Sequence, residues 1–358
     1  MKALSRVGIA FFCWLLFPAF AQQGASPAKV MPRFKRPAVP APGPDHRITL
    51  DVVVTDHSGN PVPGLQQQDF TILDNNKPQT ILSFRAVDRP GEAANRPLQA
   101  IVLVDTVNTS FERAAYQRIQ LEKFLRKDGG KLPLPMSLVI LSDTSAGQSV
   151  TTSDGNILVD SLSSKQPGLR FIGRSQGFYG GDERLQISTG VLEKLASDEA
   201  TQPGRKLLIW LGPGWPLLAG PEVMLSAKVQ NALFQSIVEL STALRKARVT
   251  IYNIDETESI GREFYYKGFL KGVGSANNAK IGDMALQVLA AQSGGRVLNS
   301  GNDIAGSIAD CLVDAKVFYA LSFDSPVADR PNEYHSLQVK IGKRGLTGRT
   351  RAGYYAQP

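Results

Sequence analysis

"AIVLVDTVNTSFE", residues 100–112, decides the fold. Five apolar residues run into Asp105, a short polar run follows, and a helical pattern begins at Phe111. A strand buried on both faces reads as a continuous apolar run, and it releases its first polar residues at the rim of the sheet. Asp105, Asn108, Thr109 and Ser110 are therefore rim residues. That rim reads as a metal site, a catalytic site or a turn in which Asp105 accepts backbone N–H bonds.

The same rhythm repeats outward from this stretch. "MSLVILSD", "RKLLIWLG" and "RVTIYNID" are further continuous apolar strands, "GQSVTTS" is an edge strand and "RVLNS" a short one. Between them, "SFERAAYQRIQLEKFLRK", "RLQISTGVLEKLAS", "PEVMLSAKVQNALFQSIVELSTALRKA", "IGDMALQVLAAQSGG" and "DIAGSIADCLVDA" carry helical patterns. Strands of this kind alternating with helices predict an α/β fold over residues 97–316, a doubly wound, mostly parallel sheet covered on both faces. In such a sheet ligands bind at the carboxyl ends of the strands, where the strand order reverses.

The flanks are different. Residues 47–90 read as a small β module, with "RITLDVVVTD", the turn-rich "HSGNPVPGL" and "DFTILDNNKPQTILSFRAVD". Residues 317–358 return to β in "KVFYALSFDSP", "YHSLQVKIGKRG" and "TGRTRAGYYA". Each is too small to stand alone. The expectation is one sandwich-like domain made from both, with the α/β domain inserted between them.

The start of the chain reads as a leader. Lys2 and Arg6 precede an apolar run that ends in Ala19-Phe20-Ala21, which predicts a signal peptide over residues 1–21 and export to the periplasm or beyond. Residues 22–46 are Pro-rich and read as an extended linker. No transmembrane span is expected in the mature chain. Loss of Lys2 and Arg6, with no acid before Ala21, takes the formal net charge from +8 to +6. That balance suits anionic surfaces, and no basic, aromatic-interleaved pattern points to nucleic acid. Cys13 falls in the leader, so the mature chain keeps Cys311 alone, a buried free thiol on a helix.

Taken together, "VVVTDHSGNPVPGLQQQDFTILDNNKPQTILSF", "LVDTVNTS", "GRKLLIWLGPGWP", "VTIYNID", "AAQSGGRVLNS" and "RAGYYA" resemble the acidobacterial VWFA-related domain family. Its members look like exported proteins built on a von Willebrand factor type A-like domain. The resemblance implies a metal-ion-dependent adhesion site, whose first motif, D-x-S-x-S, falls on Asp105, Val107 and Thr109. Val107 stands where a hydroxyl is wanted, and Asn108 and Ser110 are the nearby substitutes. Gly212, Pro213 and Gly214 occupy the place of a later aspartate. No threonine lies in "SQGFYGGDERLQIS", where Ser175 or Asp182 would have to serve. The site is thus degraded, and Mg²⁺ or another divalent cation is the ion it would take.

Two aromatic loops share that rim, with Trp215 on one and Phe264, Tyr265, Tyr266 and Phe269 on the other. They read either as a partner-binding platform or as satellite core. "GRSQG", residues 173–177, has the spacing of a hydrolase nucleophile elbow. Ser175, Asp255 or Asp324, and His335 follow in hydrolase order, but no strong strand precedes Ser175. His46, His57 and His335 offer no zinc spacing. The functional expectation is a non-enzymatic binding or adhesion protein whose partner is a protein or cell-surface polymer. The alternatives are a serine hydrolase and a purely structural envelope protein.

Overall fold

The computed structural model describes residues 46–87, 98–143, 146–164, 178–215, 225–255, 266–299 and 301–358. All of them lie in one compact unit, Pro32–Pro358. The expected leader, the linker and Ser175 fall outside the described residues.

Four strands open the chain: β1 (Arg47–Thr55), β2 (Phe70–Asp74), β3 (Lys77–Gln79) and β4 (Ser83–Val87). The α/β region follows, as β5 (Leu98–Asp105), α1 (Phe111–Leu125), β6 (Lys131–Leu141), β7 (Thr152–Asp154) and α2 (Gly155–Ser164). It continues through α3 (Phe178–Ala200), β8 (Arg205–Leu211), α4 (Ala227–Lys246), β9 (Val249–Asp255), α5 (Leu286–Gln292), β10 (Val297–Asn299) and α6 (Ile304–Lys316). The chain closes with β11 (Phe318–Asp324), β12 (Glu333–Ile341), β13 (Thr347–Arg349) and β14 (Gly353–Ala356).

The fold is mixed α/β. Its central sheet has the order β10-β9-β8-β5-β6-β7. Every pairing in it is parallel except β6 with β7. Alternate residues of the buried strands feed two cores. Ile101, Leu103, Leu208, Trp210 and Ile251 pack with α3, α4 and α5. Ala100, Val102, Val104, Leu207, Ile209 and Ile254 pack with α1, α2 and α6. β8 and β9 are buried at all seven positions, which is why they read as unbroken apolar runs. In β6, Pro133 and Pro135 cannot donate to a ladder; pairing with β5 begins after them, at Met136.

The two outlying β segments build two further sheets together, β13-β1-β11-β4 and β14-β12-β2-β3. β1 and β4 both lie antiparallel to β11, so the α/β region leaves after one neighbour of β11 and returns directly into β11. Between these sheets sits a third core of Leu50, Val52, Phe70, Ile72, Tyr319, Phe323 and Val339, among others.

Two sequence expectations need correction, and one helix had none. "GNILVDSLSS" is helix α2, which its Gly, Asn and Ser content conceals. "IGDMALQVLAAQ" is helical only from Leu286; Ile281–Met284 is a 3₁₀ turn. "TGRTRAGYYA" is two strands in different sheets, since β13 pairs with β1 and β14 with β12. Among the described residues no helix is long and apolar enough to cross a membrane.

Candidate functional site

In the central sheet the chain moves one way from β5 through β6 and the other way from β8 through β9. The strand order therefore reverses between β5 and β8. Asp105 ends β5 and Gly212 follows β8, so both stand at this switch point, where open parallel sheets form their ligand crevice.

Asp105 is fully buried, and both carboxylate oxygens are engaged. Oδ1 accepts from the backbone N–H of Val107 at 3.1 Å and of Asn108 at 3.0 Å. Oδ2 accepts from Asn108 Nδ2 at 2.8 Å and from the indole Nε1 of Trp210 at 3.0 Å. Burial pushes the carboxyl above its ordinary value, and the bonds from Asn108, Trp210 and Val107 oppose that rise. The Asn108 amide also donates to Ser188 Oγ at 3.0 Å, which ties the rim to α3.

Neighbouring amides lock the other half of the switch point. Asn253 Nδ2 donates to the Gly212 carbonyl at 2.8 Å. Gln287 Nε2 donates to Asn253 Oδ1 at 3.0 Å and to the Pro213 carbonyl at 2.9 Å. Gly212 has φ +133°, and a Cβ there would lie 3.0 Å from Thr109 Oγ1 and 3.1 Å from Asp105 Cβ. A side chain at 212 would press on Thr109 and Asp105, which would have to give by a few tenths of an ångström.

These residues do not fit a divalent cation held in the type A manner. A hard cation needs oxygen lone pairs. Asp105 is instead met by N–H donors, and Asn108 presents its nitrogen, because its oxygen would repel the carboxylate. Val107 contributes a backbone N–H and a buried isopropyl group. Ser110 Oγ accepts from Arg113 N at 3.4 Å and caps α1. Asp182 accepts from Gln186 of its own helix at 2.7 Å. Among the described residues no three His, Cys, Asp or Glu side chains gather to hold a metal ion. Of the residues expected to hold a metal, Asp105 and Asn108 form a hydrogen-bonded turn, Ser110 caps α1, and Thr109 is buried beside Gly212.

Of the two readings of Trp215, platform and satellite core, its burial agrees with the second. It is buried rather than exposed on a platform: its Nε1 donates to the Met284 carbonyl at 3.0 Å. Its ring meets Trp210 edge-on, with centroids 5.7 Å apart. Tyr266 and Phe269 are partly buried, and Phe264 and Tyr265 lie outside the described residues.

His335 sits in the second of the outer sheets, away from the switch point. Its Nδ1 donates to Asp74 Oδ1 at 2.8 Å, and Tyr354 Oη donates to Asp74 Oδ2 at 2.6 Å. Asp324 pairs with Arg47 at 2.6 Å. Neither acid named for a hydrolase relay therefore orients His335 among the described residues. Cys311 is buried and free, and burial pushes its thiol up.

Sequence reading missed Trp210, Ser188, Asn253 and Gln287. One signal was available: a Trp inside the unbroken apolar run of β8 must find an acceptor for its N–H. The neighbouring strand ends in a carboxylate.

No family model matches the chain, and no curated protein matches it. Solved structures do match, among them the human COPII-coat protein Sec24c, at 9% identity and a TM-score of 0.30. That match covers 73% of this chain and 44% of the other, so this chain spans less than half the length of that one. A score at that level carries no argument about fold or role.

Proposed function

We propose that the chain is an exported, non-enzymatic binding protein of the acidobacterial VWFA-related kind. Its type A-like domain offers the switch-point rim to a protein or surface-polymer partner, without a divalent cation. The observation that supports this reading is the reversal of strand order between β5 and β8, which sets the carboxyl ends of β5, β8 and β9 side by side at one edge. There, Asp105, Asn108, Asn253 and Gln287 form a hydrogen-bonded floor in which Asn108 Oδ1 is left as a buried acceptor without a hydrogen bond. Such a floor suits loop-borne recognition better than chemistry.

Site-specific photocrosslinking tests it. A crosslinker at Tyr265 or Tyr266, in cells carrying the full chain, should trap a discrete partner in the presence of chelator. The same crosslinker at Ile119, exposed on α1, should not. Equal labelling from both positions, or none from either, rejects the rim.

A second reading is a purely structural envelope protein with no ligand at the rim. It is favoured by the saturation of Asp105 and the burial of Trp215. Export itself predicts a mature chain that begins at Gln22, which N-terminal sequencing would read directly.

A further inference from the structure

The outer sheets meet the α/β region along a seam. At the N-terminal ends of the central strands, charged side chains hold it together. Arg205 donates to the Asp314 carbonyl at 2.8 Å, and Arg349 reaches the Asp314 carboxylate. Lys206 Nζ donates to the Glu199 carbonyl at 2.8 Å. Beside α4 the seam is filled differently, by a strap of chain, residues 270–285, that lies between β9 and α5 in the sequence.

The strap belongs to no sheet, and its regular elements are two 3₁₀ turns, Ala276–Asn278 and Ile281–Met284. Its own backbone bonds close tight turns, such as Asp283 N to the Lys280 carbonyl and Ala285 N to the Gly282 carbonyl, both at 3.0 Å. Side chains from other elements fasten it. Tyr355 Oη of β14 donates to the Val273 carbonyl at 3.1 Å, and Gln230 of α4 to the Asn277 carbonyl at 3.3 Å. Trp215 Nε1 donates to the Met284 carbonyl at 3.0 Å. Val273, Ala279, Ile281 and Met284 pack into the core that holds Phe234 of α4 and Tyr355. The Tyr334 ring of β12 lies so close that a Cβ on Gly272 would stand 1.9 Å from it. A segment fastened by side chains rather than by a backbone ladder can open without unfolding the sheets around it. Its last turn buries a carboxylate. Asp283 is 5% exposed, and its Oδ2 accepts from Lys280 N at 2.7 Å. Among the described residues, the charged and titratable groups that act on it are Lys280 of the same turn and Tyr355 of β14, and Tyr334 of β12 acts on Tyr355 in turn. Lys280 is exposed, so water screens its ammonium. Burial outweighs the bond and the ammonium and lifts the carboxyl to about 6.

We propose that the strap is a proton-controlled latch: with Asp283 protonated it stays closed across the seam, and with Asp283 ionised it opens locally while the sheets on both sides stay folded. The proton comes from solvent and returns to it, and no bond but the carboxyl O–H changes. The closed strap favours the protonated carboxyl, whereas the opened strap gives it water and the ordinary value of 3.8. The advantage of the closed state is therefore complete below about 4 and is lost as pH rises to about 6. Opening uncovers Tyr334 and Tyr355 on the outer sheet. It also frees the Trp215 indole, because Met284 holds it. The latch does not rest on the function proposed for the rim.

Hydrogen exchange on the full chain tests it, read as protection relative to the intrinsic rate at each pH. The amides of Asp283 and Ala285 report the strap, and those of β8 report the central sheet. Strap amides should be less protected than β8 throughout, and their protection should fall about tenfold between about pH 4 and about pH 7. Asp283→Asn keeps an acceptor for Lys280 N and cannot ionise, so strap protection in that variant should be flat with pH. Strap amides as protected as β8 would mean that the segment opens only when the whole molecule unfolds, and would overturn the latch. So would wild-type strap protection that is flat with pH, or a slope that survives in Asp283→Asn. If Asp283→Asn does not fold, the wild type decides alone: a strap less protected than β8 and falling with pH supports the latch, and either feature missing rejects it.

Discussion

The two ends of the central sheet solve the same problem in opposite ways. At the switch-point end a single carboxylate, Asp105, is buried and surrounded by four N–H donors from its own turn, Asn108 and Trp210. At the seam the buried charges are mostly positive, and the Asp314 carboxylate serves Tyr252 at 2.8 Å, Arg349, and Arg296 at 3.5 Å. Burial of a charge is tolerable when its hydrogen-bonding capacity is met. Asp105 is met by neutral N–H donors, and Asp314 mainly by guanidinium groups and a tyrosine hydroxyl. Two equally buried carboxylates thus differ in the kind of partner that holds them, dipoles for one and cations for the other.

The largest test of that difference is Asp314→Ala. It leaves Arg349 without its carboxylate and Tyr252 without its acceptor. Removal of one member of a buried ion pair costs about 3–5 kcal/mol, and urea unfolding should show a loss of that size. A change below 1 kcal/mol would mean the seam tolerates unmatched cations freely, and the contrast would fail.

Next comes Asp105→Ala. Four donors lose their acceptor, and each buried, unmet donor costs about 1–3 kcal/mol, so roughly 2–4 kcal/mol is expected after local relaxation and entry of water. The decisive feature is indifference to metal. The unfolding midpoints of wild type and variant should be unchanged by millimolar Mg²⁺, Mn²⁺ or Ca²⁺. A cation-dependent rise in the wild type that vanishes in Asp105→Ala would restore the adhesion site and break the comparison.

Gly212→Ala should cost less, roughly 1–3 kcal/mol, from a backbone at φ +133° and a Cβ pressed toward Asp105. Indole fluorescence of Trp210 should shift with it, because the Asp105 acceptor moves. An unshifted spectrum would mean that the neighbours yield elsewhere.

The smallest effect concerns pH. Burial raises Asp283 from 3.8 to about 6, against a bond from Lys280 N at 2.7 Å. A carboxyl with a raised folded-state value favours the protonated form on folding. The unfolded chain therefore ionises first, and stability falls as pH rises from about 4 to about 6. Asp283→Asn should lack this component. The midpoint difference, variant minus wild type, should grow across that window and level off above it. A difference flat with pH would place Asp283 in water.

Much of the fold was legible because its signals are local. Continuous apolar runs marked β5, β8 and β9, and their alternation with helices implied a mostly parallel sheet. The end of β5 marked Asp105 as a rim residue. Its partners were not legible. Trp210 lies 105 positions away in sequence, and Ser188 lies 80 positions from Asn108. The sequence left Trp215 open between platform and satellite core, because its partners, the Met284 carbonyl and the Trp210 ring, come from other elements. "TGRTRAGYYA" misled because nothing local marks where a chain changes sheets.

By itself the sequence determined most of the order of strands and helices and the burial of the central sheet on both faces. Those follow from the spacing of apolar residues, which acts over a few positions. Only the tertiary structure decided that Asp105 is answered by an indole and an amide, and that Asp314 gathers Tyr252, Arg349 and Arg296. Charge pairing depends on which distant elements share a neighbourhood, and that is set by the packing of layers rather than by any single stretch of chain.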